Sequence, residues 1–260
     1  WDDPTCGPHA TAQVRGAASK IVKSTCGNGR ATCWFRSLVA ARKTPYSHRR
    51  VPSLRARVKE LVFDRVPGLI RRGPGTTKRV AITFDDGPDA MTPRYLDLLD
   101  ELGIPATFFV IGQSAEQHPD LIREYLRRGH QVASHGYDHA RFRVLSTRDL
   151  LYQCRRTEAA LGGQLTGRPW VRPPHGELDT RSIFALRAMG YTVALWSLDA
   201  EDYTDHDPVT IAARCANAQP GDVLLFHEGQ QHTLDALPIV VEQLRRAGHE
   251  CVTMHDLFAV

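Results

Sequence analysis

Hydrophobic and polar positions change their arrangement near residue 79 of this 260-residue chain. Before that point, weak helical patterns are interrupted by prolines, and the glycine- and proline-rich run at residues 71–77 is typical of a linker. After it, short apolar runs alternate regularly with segments of helical periodicity. The pattern predicts a mostly helical N-terminal extension with a linker at residues 1–75 and an α/β domain at residues 76–260.

Seven short runs that are apolar on both faces predict β-strands. They lie at residues 79–84, 106–111, 131–134, 170–172, 191–196, 222–227 and 250–253. Such runs are typical of parallel strands that helices cover on the outside. The intervening helical patterns lie near residues 92–102, 118–128, 146–161, 179–189, 207–218 and 234–247. This alternation predicts a distorted (β/α) barrel of about seven parallel strands.

Chemically active side chains occur where the predicted strands end. They are Asp85 and Asp86 after the first strand, His135 after the third, Arg172 after the fourth, Trp196 and Asp199 after the fifth, and His227 at the end of the sixth. The carboxyl ends of the strands form one rim of a (β/α) barrel, and the active sites of such barrels are built on that rim. The sequence therefore predicts one catalytic site at this rim.

Asp86, His135 and His139 are the candidate metal ligands, because one carboxylate and two imidazoles suit a divalent ion of the zinc type. If residues 135–139 form a helical turn, the two histidines share one face, with Cβ atoms ~5–6 Å apart. We expect one divalent metal ion, with zinc favoured and cobalt, nickel or iron as alternatives. An isolated H-x-x-x-H is more often a pair of surface histidines, but the two adjacent aspartates favour metal binding.

The remaining polar groups supply a base and an acid. Asp85 is the candidate base that takes a proton from the attacking water, and Arg172 would orient it through a bidentate contact. His227 ends a very apolar strand and is the candidate acid, with Asp202 as its carboxylate partner. The competing interpretation of Asp85 is that it only caps the following turn. These groups together favour metal-assisted hydrolysis of an amide or ester.

Two further features complete the candidate site. Hydrolysis through a tetrahedral intermediate needs an oxyanion donor, and a backbone N–H within residues 172–176 is the candidate because two prolines restrain that loop. His130 and His249 lie in connections between a helix and a strand. We interpret both as hydrogen-bonded core histidines without a catalytic role.

Composition and charge narrow the function classes. The chain is 42% hydrophobic and 24% charged, which is ordinary for a globular protein, and no apolar run approaches the ~18 residues of a membrane span. Residues 1–80 carry 17 Lys and Arg against 4 Asp and Glu, whereas residues 81–260 carry 16 against 25. The basic segment could dock on the acidic domain, make peripheral contact with an anionic membrane, or be a solvated arm. It lacks a nucleic-acid reader motif, so we expect no nucleic-acid partner.

Five motifs, in this order, resemble those of the NodB-type polysaccharide deacetylases, carbohydrate esterase family 4. They are TFDDGP at residues 83–88, H-x-x-x-H at 135–139, RPP-x-G at 172–176, DAEDY at 199–203 and L-x-H at 225–227. The resemblance covers about two-thirds of the chain, residues 79–255. It implies a NodB homology domain with a distorted (β/α) barrel and metal-dependent removal of N- or O-acetyl groups from a glycan, an oligosaccharide or a lipid-linked sugar.

The resemblance also assigns roles to individual positions. It implies that Asp85 is the base, that Arg172 positions it, and that His227 is the acid tuned by Asp202. The implied metal ligands are Asp86, His135 and His139. The implied substrate wall consists of Pro174, His175, Trp196, Tyr203 and Leu225, of which Trp196 and Leu225 would contact the acetyl methyl.

Three positions depart from the family pattern. Gly136 replaces a serine or threonine that steadies the histidine loop, His175 replaces a tyrosine or phenylalanine, and Tyr203 replaces a tryptophan of the groove wall. The last two bear on which sugar is bound. Two alternatives stay open: a deformylase or other non-peptide amide hydrolase of the same fold, and an inactive glycan-binding barrel. The expected partner is an N-acetylated carbohydrate. The oligomeric state and compartment stay open, with cell envelope or secretion favoured over cytoplasm.

Overall fold

The computed structural model of this protein describes residues 68–163 and 169–259. Most of the predicted N-terminal extension, residues 1–67, therefore lies outside the described residues. Within the described part, nine short strands form one sheet and helices follow most of them. No helix in residues 68–163 or 169–259 combines the length and the apolar character needed to cross a lipid bilayer.

The strands are short, as expected for a barrel wall. In chain order they are β1 (Leu69–Ile70), β2 (Arg79–Asp85), β3 (Thr107–Val110), β4 (Gln131–Ser134), β5 (Trp170–Val171), β6 (Thr192–Ala194), β7 (Leu198–Asp199), β8 (Val223–His227) and β9 (Glu250–Val252). Each of the seven predicted strands is present, with ends within two residues of the predicted ones. The two-residue strands β1 and β7 are additional.

The helices are α1 (Thr92–Leu102), α2 (Gly112–Gln117), α3 (Pro119–Arg127), α4 (Thr147–Ala160), α5 (Thr180–Ala188), α6 (Pro208–Cys215), α7 (Gln231–Arg246) and α8 (Met254–Phe258). Short 3-10 turns occur at Phe142–Val144 and Pro174–Gly176. The six predicted helices are confirmed, while α2 and α8 are additional. Proline at the start of α1, α3 and α6 suits the first turn, where its missing N–H leaves no bond unmade.

The sheet curls into the predicted barrel. Its strand order is β1-β6-β5-β4-β3-β2-β8-β7, with β9 paired to β2, and all of these pairs are parallel. Only residues 195–197 separate β6, near one end of this order, from β7 at the other end. The N–H of Leu195 still donates to Ile70, and that of Ser197 donates to Val223. The two ends of the sheet must therefore face each other, which confirms the distorted (β/α) barrel.

Strand β1 lies inside the segment that the sequence assigns to the extension. Leu69 pairs with Val193 and Ile70 with Ala194 in parallel register. Arg72 also forms an antiparallel bridge with Asp222. The barrel therefore includes residues that precede the predicted boundary at 75/76. The nature of residues 1–67 as a separate extension stays a prediction.

The alternation of side chains along β2 divides the apolar core from the site. Val80, Ile82 and Phe84 point outward into the apolar cluster that the covering helices complete. Thr83 and Asp85, on the opposite face, point into the barrel. Small residues such as Ala81, Ala133 and Ala194 occupy the interior near them. They leave room inside the barrel for the large side chain of Arg172, which is fully buried.

Candidate active site

A cavity of about 360 Å³ opens at the carboxyl ends of the strands. Asp85 ends β2, His135 follows β4 and His227 ends β8, so the predicted rim is the one that carries the cavity. The residues that line it are Asp85, Asp86, His135, His139, His175, Trp196, Asp199, Tyr203, Leu225, His227 and Gln230. All the predicted ligands, the base and the acid therefore face one space.

Asp86, His135 and His139 converge on one point. Asp86 Oδ1 lies 3.3 Å from His139 Nε2 and 3.5 Å from His135 Nε2, and the three ligand atoms all lie within 4.8 Å of one another. Asp86 Oδ1 is buried and has no hydrogen-bond partner among the described residues. A buried acceptor between two imidazole nitrogens is costly unless a cation or a proton satisfies it.

The hydrogen bond on the far side of His135 sets its tautomer. His135 Nδ1 lies 2.9 Å from the backbone carbonyl oxygen of Arg172. Because a carbonyl only accepts, Nδ1 carries the proton and the lone pair of Nε2 faces Asp86. Burial lowers the pKa of His135, so the neutral form that a metal requires is favoured. The three residues therefore fit a divalent metal ion.

Left-handed backbone conformations, and not a helix, bring the ligands together. The helical turn predicted for residues 135–139 is wrong: no helix is present there, and the loop turns at Gly136 (φ 80°) and His139 (φ 61°). A Cβ at Gly136 would lie 3.1 Å from the Phe142 ring, so glycine suits both the space and the conformation. Asp86 (φ 76°) likewise leaves the strand, which directs its side chain to the same cavity as that of Asp85.

Asp85 is buried, and its two carboxylate oxygens have different surroundings. Arg172 Nη1 donates to Oδ1 over 2.7 Å, while Oδ2 lies 3.6 Å from His135 Nε2. The predicted bidentate contact is wrong, because Nη1 also lies 2.9 Å from Thr83 Oγ1 and Nη2 donates to the Leu195 carbonyl. Oδ2 is therefore the oxygen left to accept a proton next to the ligands.

Arg172 holds Asp85 from inside the barrel. Its guanidinium lies 3.9 Å above the centroid of the Phe109 ring and is fully buried. Burial lowers the pKa of Arg172, and the charge and hydrogen bond of Asp85 oppose that shift. An arginine remains protonated in this setting. The pair therefore keeps Asp85 in one orientation, with a positive charge behind it.

His227 and Asp202 form the predicted second pair. His227 Nδ1 lies 2.7 Å from Asp202 Oδ1, and the backbone N–H of His227 donates to Asp202 Oδ2 over 2.8 Å. Thr233 also donates to Oδ2, so the fully buried Asp202 is held at three points. Burial by itself lowers the pKa of His227, but the hydrogen bond and charge of Asp202 outweigh it and raise the pKa to about 9. His227 is therefore protonated at neutral pH.

We expect Asp202→Asn to move the alkaline limb of the pH–activity profile to lower pH. Protonated His227 of the parent is present below a pKa of about 9 and is lost as the pH rises through it. Without the charge of Asp202, burial lowers the pKa of His227 towards or below the ordinary ~6.5. The profile of kcat/KM between pH 5 and 10 measures this, beside an NMR titration of His227 in metal-free protein.

Asp205→Asn is the matched control, since Asp205 contacts Arg214 and lies in the same loop. It should leave the alkaline limb in place. An unchanged limb in Asp202→Asn would remove His227 from the role of acid.

Four of the five predicted wall residues line the cavity, namely His175, Trp196, Tyr203 and Leu225. Pro174 does not: it is buried, and its ring lies 3.5 Å from the Cβ position of Gly136. The assignment of Pro174 to the substrate wall is therefore wrong. Pro174 packs behind the cavity and supports the loop that carries His175. The rings of His175 and His139 are 4.6 Å apart, and Tyr203 meets the His227 ring edge-on at 5.3 Å.

Within the segment 172–177, only the backbone N–H of His175 has no acceptor among the described residues. Two residues of the segment 172–177 are prolines, which lack an N–H. Three others donate to carbonyls of the protein, namely Arg172 to Ser134, Gly176 to Pro173 and Glu177 to Pro174. The His175 N–H, beside the ring that lines the cavity, is therefore the candidate oxyanion donor of this loop.

Several groups to which the sequence assigned no catalytic, metal-binding or substrate-binding role lie at the site. Asp199 and Gln230 line the cavity, and burial raises the pKa of Asp199. Thr83 supports Arg172 from behind. Asp199 begins a recognisable motif, and Thr83 lies two residues before Asp85 on the same strand face, so both carried a signal. Gln230 carried none.

His130 and His249 lie away from the cavity. His130 is buried, and its Nδ1 accepts the N–H of Ala106 over 3.2 Å. His249 Nε2 lies 3.1 Å from the carbonyl oxygen of Ala218. Neither residue lines the cavity. These contacts agree with the interpretation of both as hydrogen-bonded histidines of the scaffold.

Known proteins resemble this chain across the barrel. Residues 72–194 match the family model described as polysaccharide deacetylase. The chain is 34% identical over 186 residues to the peptidoglycan-N-acetylglucosamine deacetylase PgdA of Listeria monocytogenes, covering 70% of this chain and 39% of that protein. It is 32% identical over 193 residues to a peptidoglycan-N-acetylglucosamine deacetylase of Bacillus cereus, covering 72% of this chain and 70% of the relative.

This chain is also similar to a solved structure of a protein with the same description. The crystal structure of the Bc1960 peptidoglycan N-acetylglucosamine deacetylase superposes with a TM-score of 0.70 at 31% identity, covering 74% of this chain and 92% of that one. The chain spans well under half the length of the Listeria relative. The similarity therefore concerns the barrel and its site.

Proposed function

Because this chain belongs to the NodB-type polysaccharide deacetylases, carbohydrate esterase family 4, we propose that it is a metal-dependent hydrolase that removes N-acetyl groups from a glycan. One observation carries the proposal: Asp86, His135 and His139 converge on one point, and Asp85 Oδ2 lies beside it, 3.6 Å from His135 Nε2. A base beside a metal site, with a separate acid at His227, is what amide hydrolysis needs.

Zinc is the metal that we propose for this site. Two neutral imidazoles and one carboxylate form a typical donor set for catalytic zinc, which keeps a position open for water or substrate. When bound, the ion would polarise the acyl oxygen and activate the attacking water. The hydrogen bond from His135 Nδ1 to the Arg172 carbonyl would fix the orientation of that ligand.

The protein residues would move the protons. Asp85 Oδ2 accepts a proton from water as the water oxygen bonds to the acetyl carbon, and the His175 N–H stabilises the resulting oxyanion. His227 is bound to Asp202 through Nδ1, so its Nε2 is free to donate a proton to the amide nitrogen. The C–N bond then breaks, and acetate and a free amino sugar are the products. Trp196 and Leu225 would hold the acetyl methyl.

We propose N-acetylglucosamine in a cell-envelope polymer, peptidoglycan in particular, as the substrate. Support comes from the relatives, several of which are peptidoglycan-N-acetylglucosamine deacetylases. The envelope would then be where this protein works. The 17 Lys and Arg of residues 1–80 suit contact with an anionic surface there.

Acetate release from a panel of glycans tests the proposal. The panel contains chitooligosaccharides, peptidoglycan, poly-N-acetylglucosamine and acetylxylan, each incubated with zinc-loaded protein and with protein treated with a chelator. We expect chelator-sensitive acetate release, strongest from N-acetylglucosamine polymers. Formate release, measured in parallel from formylated amino sugars, distinguishes the deformylase alternative. Binding to the glycans without release of either acid would favour the inactive glycan-binding alternative.

A further inference from the structure

Glu228 is a buried carboxylic acid that the reaction proposed above does not use. It directly follows His227, but the residue is only 5% exposed and does not line the cavity. Both of its carboxyl oxygens contact Tyr125, whose hydroxyl lies 2.8 and 2.9 Å from them. Thr92 Oγ1 donates to Glu228 Oε1. The carboxyl group therefore lies in a small polar network under the rim.

Glu228, Tyr125 and Thr92 close into a ring of contacts. The Tyr125 hydroxyl donates to Oε2, the Thr92 hydroxyl donates to Oε1, and the two hydroxyl oxygens lie 3.3 Å apart. Among residues 68–163 and 169–259, no cationic side chain forms an ion pair with Glu228. Burial raises the pKa of Glu228 to about 8, which agrees with a neutral group at neutral pH.

The same ring supports the turn that carries the base and the first metal ligand. A Cβ at Gly87 would overlap Glu228 Oε2, so the backbone after Asp86 rests against the carboxyl group. The Glu228 N–H donates to the Asp85 carbonyl over 3.0 Å. Thr92 Oγ1 accepts the N–H of Asp89 over 2.8 Å. Glu228 and its partners therefore hold the backbone on both sides of Asp86.

We propose that Glu228 is a positioning residue, whose buried carboxyl group sets the place of the turn at residues 85–87 and thereby the aim of Asp85 and Asp86 into the cavity. Because the turn begins beside His227, the same residue also fixes the spacing between base and acid. Its catalytic aspect rests on the proposed function. Its effect on metal binding needs only the metal site to which Asp86 contributes, whatever the substrate.

The test compares Glu228→Ala and Glu228→Gln with a matched control. Asp222→Ala is that control: Asp222 is a buried carboxylate at the opposite end of β8, where it contacts Ser197 and Arg72. Zinc affinity is measured by calorimetric titration of the folded fraction, and kcat and KM by acetate release. Thermal unfolding of each variant reports stability separately.

We expect Glu228→Ala to weaken zinc binding and lower kcat by about 10- to 100-fold, as loss of a residue that supports a metal ligand does. Glu228→Gln should stay close to the parent, because its amide can accept from Thr92 and donate to Tyr125. Asp222→Ala should lower thermal stability and leave zinc affinity unchanged. If Glu228→Ala does not fold, Tyr125→Phe opens the ring gently and should weaken zinc binding in the same direction.

The outcomes separate the two proposals. If the parent releases no acetate but Glu228→Ala still loses zinc affinity relative to Asp222→Ala, the proposed function fails and the positioning role stands. If the parent is active and Glu228→Ala, or Tyr125→Phe in its place, matches Asp222→Ala in zinc affinity and kcat, the positioning role is wrong. A Gln variant as impaired as the Ala variant would also overturn it, because glutamine can keep the contacts with Thr92 and Tyr125 to which the positioning role is assigned.

Discussion

Replacing Asp85 with asparagine is expected to lower acetate release by about 10²- to 10⁴-fold while zinc binding persists, the range that loss of a general base produces. Asparagine keeps an oxygen that can accept from Arg172 Nη1, so the hydrogen bond that spans 2.7 Å in the parent can still form. The amide nitrogen that replaces Oδ2 cannot accept a proton. The three proposed metal ligands are unchanged, and kcat, zinc affinity and thermal unfolding are measured together.

The buried charge of Arg172 makes a stability control necessary. Removing one partner of a buried ion pair costs about 3–5 kcal/mol when nothing replaces it, and the asparagine oxygen should keep the loss below that. Asp222→Asn, a change at another buried carboxylate that pairs with Arg72, should lose stability but retain kcat. An Asp85→Asn protein that turns over as fast as the parent would show that Asp85 is not the base.

Removal of the metal is the second change with a large expected effect. Chelation should lower activity by at least about 10²-fold, since a catalytic ion supplies several kcal/mol of transition-state stabilisation. Added zinc should restore the parent. His135→Ala should lose activity and fail to recover with zinc, because it removes the buried ligand that the Arg172 carbonyl orients. Metal content and acetate release, measured before and after zinc addition, check both expectations.

His130→Ala is the control for the loss of a buried histidine. His130 is as buried as His135, and its Nδ1 accepts a backbone N–H away from the cavity. The variant should lose stability but bind zinc and recover activity after chelation. Full activity in chelator-treated parent protein, confirmed to be free of metal, would contradict the metal-dependent mechanism.

The regular elements were predictable because their signal is local. A strand such as β2 or β8 has an apolar run long enough to be recognised, and a helix such as α4 has apolar periodicity over several turns. Strands β1 and β7 have two residues each, too few for any pattern. Strand β1 exists because it pairs with β6, which is far from it in the chain. Strand β7 exists because it pairs with β8, which follows it only after a helix.

The residue types of the site were predictable for a related reason. Parallel strands bring their carboxyl ends to one rim, so polar residues at those ends must meet there. Asp86, His135, His139 and His227 do meet there. The orientation of their side chains was not predictable, since it depends on backbone conformations such as the positive φ of Asp86 and His139. The helical turn expected at the histidines was wrong for that reason.

The sequence by itself therefore determined the alternation of strands and helices, the rim at which they end, and the kinds of groups that meet on it. Only the tertiary structure decided which atoms of those groups face each other. Arg172 reaches Asp85 across 87 positions of the chain, and Tyr125 reaches Glu228 across 103. Periodicity reports which face of an element is buried, whereas such contacts depend on the packing of the whole barrel.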